Sequence, residues 1–166
     1  MKKYLVLITI SLLLFSGCND NKVVSNGKKV DTSNMIHEHC IRTGSVKDGE
    51  ASLEYDIYYT GEVFNIIVSN EKVSSTNKEV LDTYEEAYRK IHSYYEGLEY
   101  YDTSVTRISD YVESSITINY DKVDIKKLIS IEGEDDNIFE DNIPKIEKWK
   151  ELAKKVGTKC SIVTEE

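Results

Sequence analysis

The chain has 166 residues with 21 basic and 30 acidic side chains, a formal charge of −9. That balance excludes ordinary polyanion binding: a nucleic-acid surface displaces phosphate counterions with a basic patch, and short pairs such as Lys28-Lys29 do not make one. The length suits one domain with its own hydrophobic core plus a leader and a linker.

The first predicted element is a targeting segment. Lys2 and Lys3 supply positive charge, Tyr4 to Phe15 is almost wholly apolar, and Ser16-Gly17-Cys18 ends the run with small residues, the order of a secretory signal. The apolar stretch is about a dozen residues, whereas a membrane-spanning helix needs roughly 20, so a removable signal is expected rather than a permanent anchor. Phe15-Ser16-Gly17-Cys18 resembles the lipobox of bacterial lipoproteins, although Phe15 stands where Leu is usual. Residues 1–17 are therefore expected to be a lipoprotein signal peptide. The Cys18 thiol would take the diacylglycerol and become the new N-terminus. Each buried methylene contributes about 0.8 kcal/mol, so two or three acyl chains hold stably where one does not. The expected partner is thus the cell membrane, reached through the N-terminal lipid on the extracytoplasmic face. Loss of the signal leaves 149 residues carrying 19 basic and 30 acidic groups, a charge of −11. Repulsion from anionic headgroups would hold such a domain off the surface.

Residues 18–35 are rich in Asn, Lys, Ser, Asp and Gly without apolar periodicity, which predicts a lipidated flexible tether. One globular domain is expected over 36–166. Glu50 to Tyr59 alternates, with Ala51, Leu53, Tyr55, Ile57 and Tyr59 on one face, and predicts a half-buried strand. Thr60-Gly61-Glu62 turns the chain into a β-branched and aromatic strand over 63–69, which completes a hairpin. Thr76-Asn77-Lys78-Glu79 has capping-box spacing. The helix it opens carries Val80, Leu81, Tyr84, Ala87, Tyr88, Ile91 and Tyr95 as one apolar stripe and ends at Gly97. Strands over 99–108 and 111–120, joined by Ser109-Asp110, form a second hairpin. Asp124 caps a short helix through Leu128. Asn142, with Pro144 in the first turn, opens a helix containing Ile146, Trp149, Leu152, Ala153 and Val156, closed by Gly157. A final strand from Lys159 to Val163 holds Cys160. Helices interrupt hairpins without βαβ alternation, so the predicted class is α+β, an antiparallel sheet of two hairpins with helices packed on one face.

With Cys18 committed to lipid, Cys40 and Cys160 remain. An oxidising compartment and an even number favour a disulfide that ties the two ends of the domain; the alternative is two free buried thiols. His37-Glu38-His39-Cys40 is the densest set of potential metal ligands, and Cys160 would complete a zinc site only if both thiols stayed reduced. The pairing removes two ligands at once, so no metal is expected. Glu132 to Asn137, with Glu140 and Asp141, concentrates carboxylates but lacks the order of a calcium loop, and a solvated acidic loop is expected instead. The 12 tyrosines include the pairs Tyr58-Tyr59, Tyr94-Tyr95 and Tyr100-Tyr101. Strand neighbours face opposite ways, so some tyrosines are expected at the surface, either covering a core edge or offering contact area for sugar or peptide. His92 is expected to be a surface contact on its helix rather than half of a dyad with Glu96.

Three stretches together resemble the YehR-like family of uncharacterised bacterial lipoproteins: Tyr95-Glu96-Gly97-Leu98-Glu99-Tyr100, Ser115-Ile116-Thr117-Ile118-Asn119-Tyr120, and Val123-Asp124 followed by Lys127-Leu128. The resemblance implies a lipidated N-terminus and a small α+β domain with no assigned reaction. The chain contains no nucleophile elbow, zinc-protease helix, phosphate loop or dinucleotide fingerprint. The expectation is a non-enzymatic envelope lipoprotein, without cofactor or nucleic acid, that binds an envelope component, peptide or small ligand. The alternative is a small hydrolase with a site assembled from scattered residues.

Overall fold

The structure is a computed structural model that describes residues 22–133 and 138–164. The expected signal peptide and Cys18 lie outside the described residues, as do positions 134–137 of the acidic run and the final two residues. Among the described residues no helix is long and apolar enough to cross a membrane.

The elements in chain order are β1 (Lys22–Ser25), β2 (Lys28–Asp31), β3 (Ile36–Val46), β4 (Gly49–Thr60), β5 (Val63–Ser75), α1 (Lys78–Ser93), β6 (Tyr101–Arg107), β7 (Tyr111–Asn119), α2 (Ile125–Glu132), β8 (Phe139–Glu140), β9 (Ile143–Pro144), α3 (Ile146–Lys155) and β10 (Lys159–Ile162). One six-stranded antiparallel sheet, ordered β10-β3-β4-β5-β7-β6, forms the frame. This corrects the expectation of two hairpins, because β3 and β10 complete a wider sheet. The inward positions of β3 are Glu38, Cys40, Arg42 and Gly44, so the strand carries no apolar alternation by which to be recognised. It is held by pairing along its full length to β4, from Ile36↔Tyr59 to Val46↔Gly49.

The tether expectation is corrected as well. Residues 22–31 form the β1–β2 hairpin across Asn26-Gly27, both with positive φ, as a two-residue hairpin turn requires. Val23 and Ser25 are buried. The Asn26 N–H donates to the Asp102 carboxylate at 2.7 Å, which fastens the hairpin to the main sheet.

The strand β5 runs on to Ser75, well past the expected end at Ser69. Pairing slips between Tyr58↔Ile66 and Tyr59↔Phe64, so Asn65 is an extra residue and the facing of β5 inverts across it. Phe64 and Ile67 therefore enter the helix-side core while Ile66, fully buried, faces the other side of the sheet. The helix-side core has two parts. One gathers Cys40, Ile57, Phe64, Ile118, Tyr120, Leu128 and Ile146; the other gathers Val73, Leu81, Tyr88 and Val112 beneath α1.

Helix termini differ in detail from the reading of the sequence. Asn77, not Thr76, caps α1 by accepting the Glu79 N–H. Asp124 caps α2 as expected, accepting from Lys127, and α2 continues one turn past Leu128. The helix expected from Asn142 begins instead at Ile146. Asp141 and Asn142 both have positive φ and form the turn of the small β8–β9 hairpin, which leaves Pro144 in a short strand. Asn and Asp tolerate the left-handed region through local side-chain hydrogen bonding, and that competing preference decided the outcome.

Candidate functional site

Strand alternation divides the His37-Glu38-His39-Cys40 set between the two faces of the sheet. Cys40 and Cys160 face each other across β3 and β10 and form the disulfide, with an S–S distance of 2.09 Å. Glu38 approaches the same two sulfurs. The sulfurs are oxidised, and Glu38 is already engaged: it accepts from the Tyr59 hydroxyl at 2.6 Å and from Lys150 Nζ at 2.7 Å. This trio does not fit a metal ion. Burial alone would raise the Glu38 pKa, but the hydrogen bonds from Lys150 and Tyr59 outweigh it and hold the carboxyl below its usual value. Burial likewise works against charge on Lys150, and the bonds to Glu38 and Tyr59 reverse it, so its pKa is raised.

On the opposite face His37 Nε2 and His39 Nδ1 both contact Asp56 Oδ1, at 2.8 and 3.2 Å. The His37 ring stacks on Tyr58 with centroids 4.4 Å apart. Tyr58 thus shows the alternation expected of a strand pair, since its neighbour Tyr59 is buried on the helix side. Tyr94 is 58% exposed, and Tyr95 stacks on Tyr101 at 4.1 Å between centroids.

His92 shares a hydrogen bond with Ser114 Oγ at 3.0 Å. Burial, then the charge of Arg89, lowers its pKa and keeps the ring neutral. Ser114 is only 5% exposed, and among the described residues no carboxylate holds the other ring nitrogen of His92. The pair lacks both the accessible nucleophile and the oriented base of a hydrolytic dyad.

A cleft with charge of both signs lies beside α1 on the helix-side face. Its volume is about 300 Å³, and it is lined by Arg42, Ala51, Leu53, Glu71 and Tyr84 together with the β3–β4 end of the sheet. Register explains its construction. Arg42 pairs with Leu53, Leu53 with Glu71, and Glu71 with Ser114, so these four lie in one row across β3, β4, β5 and β7. Arg42 and Glu71 flank Leu53, and both are half-buried. Among the described residues neither forms an ion pair within 4.0 Å, with each other or with any other group.

Two tyrosine hydroxyls feel this charged floor. Burial raises the pKa of Tyr55, while Arg42 lowers it and Glu71 raises it. Tyr88 is 6% exposed, and its buried hydroxyl lies beside Glu71 without a bond inside 3.5 Å. Burial, followed by the nearby Glu71 charge, pushes its pKa far upward, so it remains a neutral donor facing Glu71. Arg42 and Glu71 were not singled out from sequence. The parity of β5 carries the signal, since Ile67, Ser69, Glu71 and Val73 alternate inward, but the expected strand end at Ser69 cut it short.

The architecture is that of a small α+β domain built on one antiparallel sheet. No family model matches the sequence, and no curated protein matches it. Solved structures share the fold. The NMR structure of the Escherichia coli YehR protein is similar with a TM-score of 0.54 at 16% identity, covering 82% of this chain and 97% of that one. The NMR structure of a protein from Streptococcus pneumoniae TIGR4 gives a TM-score of 0.50 at 15% identity, with 84% and 90% covered. At these identities the likeness defines the fold: the chain has a YehR-like fold.

Proposed function

We propose that this chain is an extracytoplasmic lipoprotein, anchored through Cys18, whose domain binds a small ligand or a peptide end in the cleft beside α1. The observation that carries the binding reading is the coexistence of half-buried Arg42 and Glu71, not ion-paired with each other, in the lining of one cleft. Buried polar groups are ordinarily satisfied, and a concave site with a few convergent polar groups is the usual form of a ligand pocket. The membrane anchor rests on the order of charges, apolar run and small residues before Cys18.

Metabolic labelling with an alkyne fatty acid tests the anchor. The wild-type chain is expected to carry the label and sediment with membranes, and Cys18→Ala to lose both; an unlabelled wild type overturns it. For binding, NMR spectra of the chain mixed with low-molecular-weight envelope extract are expected to shift the signals of Arg42, Glu71 and Tyr84. Unmoved signals there reject the cleft as the site.

The rival reading, a small hydrolase, is tested at the His92–Ser114 hydrogen bond, whose buried serine and unoriented base count against it. Turnover of p-nitrophenyl acetate by the wild type that disappears in Ser114→Ala would establish it over binding. Equal rates in both chains would reject it.

A further inference from the structure

The cleft has charge of both signs, and this selects among ligands. An anion at Arg42 would leave Glu71 desolvated and unpaired, and a cation at Glu71 would do the same to Arg42. Occupying one charge while burying the other without a partner costs free energy. A ligand that presents an anionic and a cationic group together answers both.

We infer that the cleft beside α1 is a binding site for a small zwitterion of the α-amino acid class, its carboxylate on Arg42 and its ammonium on Glu71. This rests on the cleft being the binding site. Neighbouring strands lie about 4.8 Å apart, so the backbones of β3 and β5 at Arg42 and Glu71 are separated by β4 alone, and both residues line the same cleft with Leu53 between them in the row. Guanidinium recognises carboxylate with paired donors. Glu71 accepts from the ammonium. Leu53 and Ala51 floor the cleft and Tyr84 walls it, which suits an apolar ligand side chain. The volume of about 300 Å³ is at the low end for ligand pockets, the scale of a free amino acid rather than a folded partner.

The test is calorimetry on the full chain in detergent with L-leucine, L-leucinamide and N-acetyl-L-leucine. L-Leucine keeps both charges, and each analogue keeps one. Leucine is expected to bind at least about tenfold more tightly than either analogue. Arg42→Gln should weaken leucine about tenfold while leaving leucinamide unchanged, and Glu71→Gln should weaken leucine while leaving N-acetyl-leucine unchanged. An analogue that binds as tightly as leucine, and is lost in the matching variant, overturns the zwitterion and leaves the cleft as a site for a singly charged ligand. If none of the three probes gives heat or moves a cleft amide up to about 10 mM, the zwitterion is overturned, and shifts at Arg42, Glu71 and Tyr84 with envelope extract then show whether the cleft still binds something else.

Discussion

Glu38 occupies an inward strand position where an aliphatic side chain would be expected. It remains charged there because Tyr59 and Lys150 both donate to Oε1, and Lys150 also lies 4.5 Å from the centroid of the Tyr59 ring. Its folded pKa is depressed, so its contribution to stability is complete above the unfolded value of 4.5 and is lost as pH falls through the lower folded value. Glu38→Gln is expected to cost about 2 kcal/mol at neutral pH. Its stability should also fall less steeply on acidification, so that urea midpoints of variant and wild type converge below the folded pKa. Midpoints that run parallel from pH 7 to pH 3 would remove the ion pair from the account. The same residue explains why His37-Glu38-His39-Cys40 reads as a ligand set and is not one. In a strand, alternate residues face opposite ways, so proximity in sequence separates the histidines from the sulfurs.

Elements are shaped here by turns and pairing more than by apolar pattern. The β3–β4 hairpin turns at Lys47-Asp48 and packs its end against β5, where a Cβ on Gly49 would lie 1.9 Å from the Ser74 carbonyl oxygen. Gly49→Ala must push that pairing apart and is expected to cost about 1–3 kcal/mol, read from urea unfolding. Gly44→Ala, with nothing within 4 Å of its Cβ, is the control and should stay near wild type. Equal effects from both would mean the close approach is not what restricts position 49. The turn also bears on the cleft, because its strands carry Arg42, Ala51 and Leu53. For α1 the apolar stripe was legible, and Leu81 and Tyr88 are its buried members. That Tyr84 lines a cleft with Arg42 and Glu71, and that Tyr88 lies beside Glu71, was not legible, since an amphipathic helix does not disclose what its buried face meets.

At the scale of the molecule, the disulfide joins strands 120 residues apart in sequence and closes the sheet edge where the chain ends. In the chain-entropy account a loop of that length constrains the unfolded state strongly. Loss of the bridge, by dithiothreitol or in the Cys40→Ala Cys160→Ala double variant, is expected to lower stability by about 2–5 kcal/mol. Unchanged thermal midpoints would show that the bridge contributes little. The β1–β2 hairpin changes the expected relation to the membrane. The described fold already includes Lys22, so a lipid on Cys18 would be separated from it by at most about 14 Å of extended chain. The proposed anchor therefore places the domain against the bilayer surface rather than on a long tether.

The sequence by itself determined the class of fold, the helix α1, the cap at Asp124, the second hairpin and the pairing of Cys40 with Cys160, because each is written in local chemistry or in residue count. Alternation, capping residues, turn dipeptides and an even number of cysteines act over a few positions or none. Only the tertiary structure decided that β3 is a strand, that residues 22–31 are folded, and that Arg42, Glu71 and Tyr84 line one cleft. Strand pairing supplies backbone hydrogen bonds regardless of side-chain pattern, so a strand with polar inward residues can be held by its neighbours alone. A site built in a row across four strands and a helix exists only once their register is set, and register is a property of the sheet as a whole.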